Sequence, residues 1–423
     1  MDMPISTDPR WGPERNQVLT RTDTPYGREK DMDLHFTSEQ KAFQLEVQEW
    51  IAKNLERPFT EEVKDPKHDA DSLVEVRRNW QRKLNDAGYL GQRWPVEWGG
   101  RGATEVDEAI LLSELARADA PNIPNFLGIP LLGPALIIHG SEEQRRRFIP
   151  KMLSADEIWC QGFSEPGAGS DLASLRTKAE PDGDDFRITG QKVWTTFGPW
   201  ADWIFVLART DEEDRHGGIS FFLVPIDQEG VDMRGLKQVT GEAEFGEVFF
   251  DGALAKREHL VGKLGEGWRI AMTLLGFERG SSTLLNPADY ERQLRGLASG
   301  LRENGEIDRP DVAERLGWLA VQNEVMRGNG LRTLANIDAG MPPGPESSIE
   351  KIFWSEFHQT MTDEALDLLG PQGQLKATSS HARPDVDWAY QYLWSRAGTI
   401  YSGSSEIQRN IIAKRVLRMP TAK

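Results

Sequence analysis

A carboxylate stands in an apolar stretch of this sequence, in "TLLGFERGSS" at residues 273–282. On a helix, Ala271, Leu274, Leu275 and Glu278 fall at i, i+3, i+4 and i+7, which puts Glu278 on an apolar stripe. Desolvation raises the pKa of a carboxyl group, as a base working near neutral pH requires. A structural ion pair is the alternative, although Arg279 is a poor partner because adjacent helical residues point about 100° apart.

A second candidate is the loop "WCQGFSEPGAGSDLASL" at residues 159–175. Its irregular backbone follows from Pro166, Gly167 and Gly169, and small residues let a planar or phosphorylated ligand approach closely. Ser164 and Ser170 supply donors, and Asp171 is predicted to cap the short helix "LASLR". An ordinary turn with a helix cap is the alternative interpretation.

A third candidate is "KVWTTFGPWADW" at residues 192–203. On a strand, Trp194 and Thr196 lie two residues apart and share one face. An aromatic plane beside a hydroxyl donor suits a flat heteroaromatic cofactor. The alternative is a sheet tryptophan that is covered by a helix.

The fourth candidate, "IYSGSSEIQRN" at residues 400–410, is a polar loop centred on glycine that leads into a helix beginning near Glu406. Backbone N–H groups at a helix start favour an anion such as phosphate. An N-cap formed by Ser404 or Ser405 is compatible with that role.

Three kinds of sequence pattern position these candidates. Residues 32–155 have helical patterns, with capping boxes predicted for Thr37 with Gln40 and for Ser141 with Gln144. Residues 156–262 contain short β-branched and aromatic runs without helical crossovers, which indicates antiparallel sheet. Long helical patterns over 263–423 predict a four-helix bundle. The expected fold class is α+β, and residues 1–31 are expected to form a flexible extension.

Composition excludes several classes of function. The net charge of −17 argues against a general binder of nucleic-acid backbones. One cysteine, Cys160, excludes a disulfide framework and a cysteine metal site, and no metal site is expected. A reducing, cytoplasmic setting is the natural interpretation. There is no apolar run of the roughly 18 residues that a membrane helix needs, and no GxGxxG, P-loop or GxSxG motif.

Taken together, the motifs resemble the acyl-CoA dehydrogenase family. The most specific stretches are "SEPGAGSDLASLRTKA", "GQKVWTT", "GEVFFDG" and "SGSSEIQRNIIAKRVL". The resemblance implies an N-terminal α-helical domain, a middle β-domain and a four-helix bundle, with FAD between the last two. It also implies an acyl-CoA substrate, an electron-transfer flavoprotein as partner, and a homotetramer or a heteromeric assembly with a related subunit.

The resemblance also assigns roles to single residues. Those matching cofactor contacts are Gln161, Phe163, Ser164, Ser170, Trp194, Thr195, Thr196, Ser404, Ser405 and Glu406. Those matching substrate contacts are Ser170, Arg279, Ser402 and Gly403.

The catalytic base differs between groups of the family. In many members a glutamate follows the tyrosine equivalent to Tyr401, but here that residue is Ser402. In members resembling isovaleryl- and long-chain acyl-CoA dehydrogenases, the base lies in an "ER" pair on the helix that opens the bundle, and "GFERG" matches that pattern. The resemblance therefore implies that Glu278 removes the α-proton while a hydride passes from the β-carbon to flavin N5. The backbone N–H of Ser402 is expected to polarise the thioester oxygen.

Two departures from the family pattern leave alternatives open. Gly276 replaces an Asp or Asn of many relatives, which favours a branched or bulky acyl group. The "RxxFG" segment is not recognisable, and "RENGEIDRPDVAERLG" stands in its place. The rival interpretations are a catalytically silent subunit of a heteromeric dehydrogenase, a flavin monooxygenase, and a nucleic-acid repair protein of the same fold, which the acidic charge disfavours.

Overall fold

The computed structural model describes residues 35–277, 281–341, 344–376, 378–379, 381 and 386–420 of this 423-residue chain. Helices come first, strands follow, and helices return, which confirms the α+β class. The extension expected at residues 1–31 lies outside the described residues.

The first group of elements is helical. Its members are α1 (Ser38–Asn54), α2 (Phe59–Lys64), α3 (Ala70–Asp86), α4 (Glu105–Arg117), α5 (Gly133–His139) and α6 (Glu142–Leu153). Both predicted capping boxes are confirmed: the side chains of Thr37 and Ser141 accept from the backbone N–H of Gln40 and Gln144, whose side chains bond back. Short polar signals therefore fix where α1 and α6 begin.

The middle group forms one eight-stranded sheet. Its strands are β1 (Trp159–Gly162), β2 (Lys178–Asp182), β3 (Asp185–Thr196), β4 (Trp203–Arg209), β5 (Ile219–Pro225), β6 (Val231–Leu236), β7 (Phe245–Ala255) and β8 (Leu260–Val261). Most pairs are antiparallel, as predicted. However, β1 runs parallel to β4, and β2 meets β4 in parallel at Lys178 and Arg209. The β2–β3 hairpin, rather than a helix, fills the connection between β1 and β4.

The last group is helical again. Its members are α7 (Gly267–Gly276), α8 (Leu285–Glu303), α9 (Pro310–Asp338), α10 (Ser347–Leu369), α11 (Trp388–Gly398) and α12 (Ser405–Ile411), with a π-helical turn over Ile412–Val416. Helices α8 to α11 pack around Tyr290, Leu297, Leu319, Phe357 and Trp388, which confirms the predicted bundle.

The sheet is buried on both faces where the candidate site begins. On one face Trp159 and Phe205 pack with Phe148 of α6 and Ile270 of α7. On the other face Cys160 joins a second apolar cluster with β3 and β7. Strands covered on both sides are held rigidly, so β1 and β4 give the following loop a fixed base.

Two further properties concern only the described part of the chain. None of its helices has the length and apolar character required to span a bilayer. No three of its His, Cys, Asp and Glu side chains are grouped closely enough to hold a metal ion.

Candidate functional site

Trp194 stands in a β-bulge of β3. The pairing of β3 with β7 slips between Val193 and Thr195, so Trp194 is the extra residue, with φ at 60°. Its side chain is 60% exposed, although its strand neighbour Thr195 is fully buried. The two-residue alternation used to place Trp194 and Thr196 on one face does not hold across this bulge, because the extra residue interrupts the pleat.

A buried ion pair connects the loop after β1 to β3. The Lys192 Nζ donates to Glu165 Oε1 at 2.7 Å, and both side chains are almost completely buried. Burial lowers the pKa of Lys192 to about 8, although Glu165 opposes that effect. Burial raises the pKa of Glu165, but Lys192 and the hydrogen bonds from residues 176 and 177 outweigh it, so that pKa is lowered. Both groups are therefore charged near neutral pH.

The glycine-rich part of this loop faces open space. A Cβ added at Gly167 or Gly169 would meet no other atom within 4 Å, and neither glycine has a positive φ. The described chain therefore does not itself require glycine at these positions. Ser170 is exposed on the same loop.

The predicted cap by Asp171 is wrong. A short 3-10 helix does follow at Leu172–Ser174, but the Asp171 side chain makes no capping bond. The Asp171 Oδ1 instead accepts from Arg215 Nη2 at 2.5 Å. The carboxylate therefore pairs with a cation that is distant in sequence rather than with the N–H groups of the short helix.

A series of aromatic ring contacts connects Trp194 to the bundle. Trp194 meets Phe245 edge-on at 6.0 Å between centroids, and Phe245 stacks with Trp394 of α11 at 6.0 Å. Tyr390 stacks on Trp394 in turn. The exposed indole therefore lies beside the junction between sheet and bundle.

The bundle contributes a tight turn between α11 and α12. Ser402 and Gly403 have φ of 52° and 85°. The Gln408 Nε2 donates to the carbonyls of Ser402 and Gly403 at 3.2 and 3.3 Å. A Cβ at Gly403 would lie 2.5 Å from that nitrogen, a clash that the flexible Gln408 side chain can move to relieve, so the positive φ is the main reason for glycine there.

Two other contacts hold this turn. The buried Lys351 of α10 donates to the carbonyl of Gly398 at 2.7 Å. Ser404 caps α12, its Oγ accepting from Ile407 N–H at 3.4 Å, which confirms the predicted helix start. Among the described residues, no acceptor takes the N–H of Ser402 or Gly403. These donors remain available.

The helix expected to carry a base is α7. Ala271 and Leu274 are fully buried on it, as the stripe predicted. The helix ends at Gly276, where a Cβ would meet nothing within 4 Å. Glu278 and Arg279 lie outside the described residues, so their predicted roles remain predictions.

These features fit a flat heteroaromatic cofactor of the FAD type. The indole of Trp194 offers an open aromatic face, and the Oγ1 of Thr195 is buried without a hydrogen-bond partner in the described structure. The buried Oγ of Ser405 also has no partner there. Open space beside Gly167 and Gly169 permits close approach.

The structure joins some of the predicted residues and separates others. The Val193 N–H donates to the Ser164 carbonyl at 2.9 Å, which ties the two β-domain stretches together. Within the described residues, no hydrogen bond links this group to residues 402–406. Sequence reasoning missed Glu165, Lys192 and Lys351. A lysine within a predicted strand, such as Lys192, was a usable signal, because lysine is rarely buried unless it is paired.

Models of three consecutive family domains match this sequence. The acyl-CoA dehydrogenase N-terminal domain matches residues 37–156, the middle domain residues 160–253, and the C-terminal domain residues 265–417. Together they cover most of the chain.

Individual relatives agree with the domain matches. The acyl-CoA dehydrogenase IpdE1 of Mycobacterium tuberculosis is 44% identical over 386 residues, which are 89% of this chain and 97% of that protein. The structure of the Tcur3481-Tcur3483 steroid ACAD has a TM-score of 0.81 and 28% identity, covering 92% of this chain and all of that one. The ChsE4-ChsE5 complex from Mycobacterium tuberculosis gives the same score, identity and coverage.

Proposed function

This chain belongs to the acyl-CoA dehydrogenase family, and on that premise we propose that it oxidises an acyl-CoA thioester to the trans-2-enoyl-CoA. It is an oxidoreductase, and its cofactor is FAD, on which this family depends. The observation that carries the proposed reaction is the open indole of Trp194, presented on a bulge beside the fixed 161–165 segment.

The chain's own residues hold the cofactor on two sides. Trp194 offers its ring face, and Thr195 and Thr196 offer hydroxyl groups. On the bundle side we assign Ser404, Ser405 and Glu406, where the buried Ser405 Oγ has no partner among the described residues. Gln161, Phe163 and Ser164 contribute from the other β-domain stretch. When bound, FAD supplies the acceptor for the hydride that leaves the β-carbon.

We assign proton removal at the α-carbon to Glu278. In the sequence only Phe277 separates Glu278 from α7, and Ala271 and Leu274 of that helix are fully buried. An apolar environment raises a carboxyl pKa towards the range of a useful base. Ser402 cannot take this role because its hydroxyl group is not a base at neutral pH.

We assign polarisation of the thioester oxygen to the backbone N–H of Ser402. That donor has no acceptor among the described residues, and Gln408 fixes the carbonyl side of the same turn. A donor already oriented where negative charge develops lowers the barrier without reorganising. Ser170, Arg279 and Gly403 are proposed as further substrate contacts.

Gly276 supports a bulky acyl group as substrate. A Cβ there would meet no described atom within 4 Å, so the described chain leaves the space at the end of α7 unfilled. A relative at 28% identity is described as a steroid ACAD. We therefore propose a large or polycyclic acyl-CoA rather than a short linear one.

The bundle surface supports assembly with a related subunit. Trp318, Val321 and Val325 are each about half exposed along one face of α9. They adjoin an open groove of about 340 Å³ lined by Ile349, Ile352, Phe353 and Ile412. Exposed apolar patches of this kind mark protein interfaces. Two similar structures, the Tcur3481-Tcur3483 steroid ACAD and the ChsE4-ChsE5 complex, are each named for two components, and we propose a heteromeric assembly here.

The decisive experiment is a panel of acyl-CoA thioesters of different size, each mixed anaerobically with the FAD-loaded protein. Loss of the visible flavin absorbance with a bulky member, and formation of the enoyl-CoA, would support the proposal. Absence of bleaching with every member, from a protein that holds FAD, would refute it.

The same preparation separates the rival functions. A protein that stays colourless until a related subunit is added would instead be a silent partner. Reduced flavin that reoxidises rapidly in air would favour a monooxygenase. Slow reaction with oxygen and fast reaction with an electron-transfer flavoprotein would support a dehydrogenase that passes its electrons to that partner.

A further inference from the structure

Lys192 and Glu165 form an ion pair in a part of the chain where charges are not expected. The side chain of Lys192 is 0% exposed and that of Glu165 is 7% exposed. Neither residue is assigned a contact with FAD or with the substrate. Burying two charges carries a large desolvation penalty, and apolar residues of similar volume are often at least as stabilising. Stability alone therefore does not explain the pair.

The hydrogen bonds of the pair reach several parts of the main chain. Besides Glu165, the Nζ of Lys192 donates to the Phe163 carbonyl at 3.2 Å. The carboxylate of Glu165 accepts from the N–H of Arg176 at 2.7 Å and from the N–H of Thr177 at 2.9 Å. The pair thus connects β3, the end of β1 and the exit of the glycine-rich loop.

Both ends of the pair border proposed cofactor contacts. Phe163 and Ser164 directly precede Glu165, and Trp194 follows Lys192 by two residues. Trp194 has a positive φ and an exposed ring, a conformation that persists only when its surroundings fix it. The short, almost completely buried Lys192–Glu165 pair next to that bulge meets this requirement.

We propose that Lys192 and Glu165 are positioning residues, which set the spacing between the 161–164 segment and the Trp194 bulge before FAD binds. This inference rests on the proposed function, since it assigns those two segments to FAD. The pair acts through the main chain and touches neither reactant.

Four variants distinguish positioning from stability. Lys192→Met and Glu165→Gln each leave a buried group without its partner. The double variant Lys192→Met/Glu165→Met removes both charges and keeps apolar bulk, so it should recover the thermal stability lost in the single variants. Glu157→Gln is the control, because it neutralises another buried carboxylate, one that pairs with the partly exposed Arg147 outside the proposed site.

The main measurement is FAD affinity, obtained by titrating the apoprotein and following flavin fluorescence. The double variant should bind FAD about tenfold or more weakly than wild type, the scale on which outer-shell partners matter at metal sites. Glu157→Gln should bind FAD as wild type does. Recovery of both stability and FAD affinity in the double variant would overturn the proposal.

A second measurement does not require FAD. Amide hydrogen exchange in the apoprotein should be faster at Arg176, Thr177 and Val193 in the stability-matched double variant than in wild type. Unchanged protection at these amides would also overturn the proposal. If wild type binds FAD but oxidises no acyl-CoA, the proposed reaction fails while the positioning role is still tested by these two measurements.

Discussion

The two sides of the proposed cofactor site are built differently. On the β-domain side, a buried ion pair and a bulge hold exposed Trp194 above a sheet that is covered on both faces. On the bundle side, a short turn with positive φ at Ser402 and Gly403 leaves its N–H groups without acceptors among the described residues. One side is fixed by distant side chains, and the other by the geometry of a turn.

This difference between the β-domain side and the bundle side predicts how each of them responds to amino-acid substitution. Positions of the β-domain contacts depend on partners far apart in sequence, so one buried substitution disturbs several of them. The bundle turn offers backbone donors, which survive changes of side chain. A family member can therefore place Ser402 where others carry a glutamate and keep the same N–H donor.

The largest expected effect is on turnover, and it is seen by comparing a variant of the proposed base with a variant of the bundle turn. Glu278→Gln should lower turnover by about 10²–10⁴-fold, the range of general base catalysis, because the amide cannot accept the α-proton. FAD should remain bound. Stopped-flow flavin reduction provides the rate, and Ser402→Ala should change it only a few-fold. Near-normal reduction by Glu278→Gln would remove this residue from the mechanism.

The next effect compares the two buried lysines. Lys192→Met should destabilise the fold by about 3–5 kcal/mol, because it leaves the Glu165 carboxylate buried and unpaired. Lys351→Met should cost about 1–3 kcal/mol, since it leaves only the neutral Gly398 carbonyl without its donor. Urea unfolding of both variants measures the difference, and equal losses would contradict the contrast between the two sides.

Acid should remove the stability linked to His358 before it removes the stability linked to the Lys192–Glu165 pair. Burial lowers the pKa of His358 to about 4, so the native state excludes a proton that the unfolded chain binds below about 6.5. Stability should therefore fall by about 3 kcal/mol as pH drops from 6.5 to 4. The stabilisation linked to Glu165, whose pKa is lowered, is lost only below the usual carboxyl range.

The pH dependence of thermal unfolding tests this order. His358→Gln should reduce the slope of the stability profile between pH 6.5 and 4, because one of the histidines whose pKa burial lowers is gone. A slope that persists unchanged in that variant would assign the acid sensitivity to another group.

A smaller effect concerns the open space in the β-domain loop. Gly167→Ala should leave the melting temperature of the apoprotein unchanged, since its Cβ would touch nothing within 4 Å. FAD binding should weaken about tenfold, if the cofactor occupies that space, because small overpacking costs about 1–3 kcal/mol. Gly328→Ala on α9, which also adds a Cβ in open space, is the control and should leave FAD affinity unchanged.

The smallest effect belongs to the bundle turn. Ser402→Gly should change stability by no more than about 1 kcal/mol, because relief of the positive φ is offset by the greater freedom of glycine in the unfolded chain. Turnover should stay near wild type, since the N–H donor remains. A large loss of turnover at unchanged stability would mean that the Ser402 side chain has a role that the geometry of the turn does not explain.

Signals that act over a few residues were predictable. Thr37 with Gln40, and Ser141 with Gln144, form capping boxes because donor and acceptor lie three residues apart, within reach along one turn. The buried stripe of α7 followed from helical periodicity. Ser404 was identified as a possible cap of α12 for the same local reason.

Interactions between distant residues were not predictable. Asp171 stands where its residue type predicts a helix cap, yet its carboxylate pairs with Arg215, 44 positions along the chain. The bulge at Trp194 depends on the register against β7, which no pattern within β3 specifies. The parallel pairing of β1 with β4 likewise depends on the whole sheet.

By itself, the sequence determined the order of helices and strands, the helix caps, and the motifs that place this chain in its family, because each depends on residue types at short spacing. The tertiary structure alone decided that Lys192 meets Glu165, that the Trp194 ring stays exposed, and that the Ser402 N–H has no acceptor among the described residues. These features depend on burial and on partners brought together only when the sheet and bundle pack, and such pairings are not encoded in any local segment.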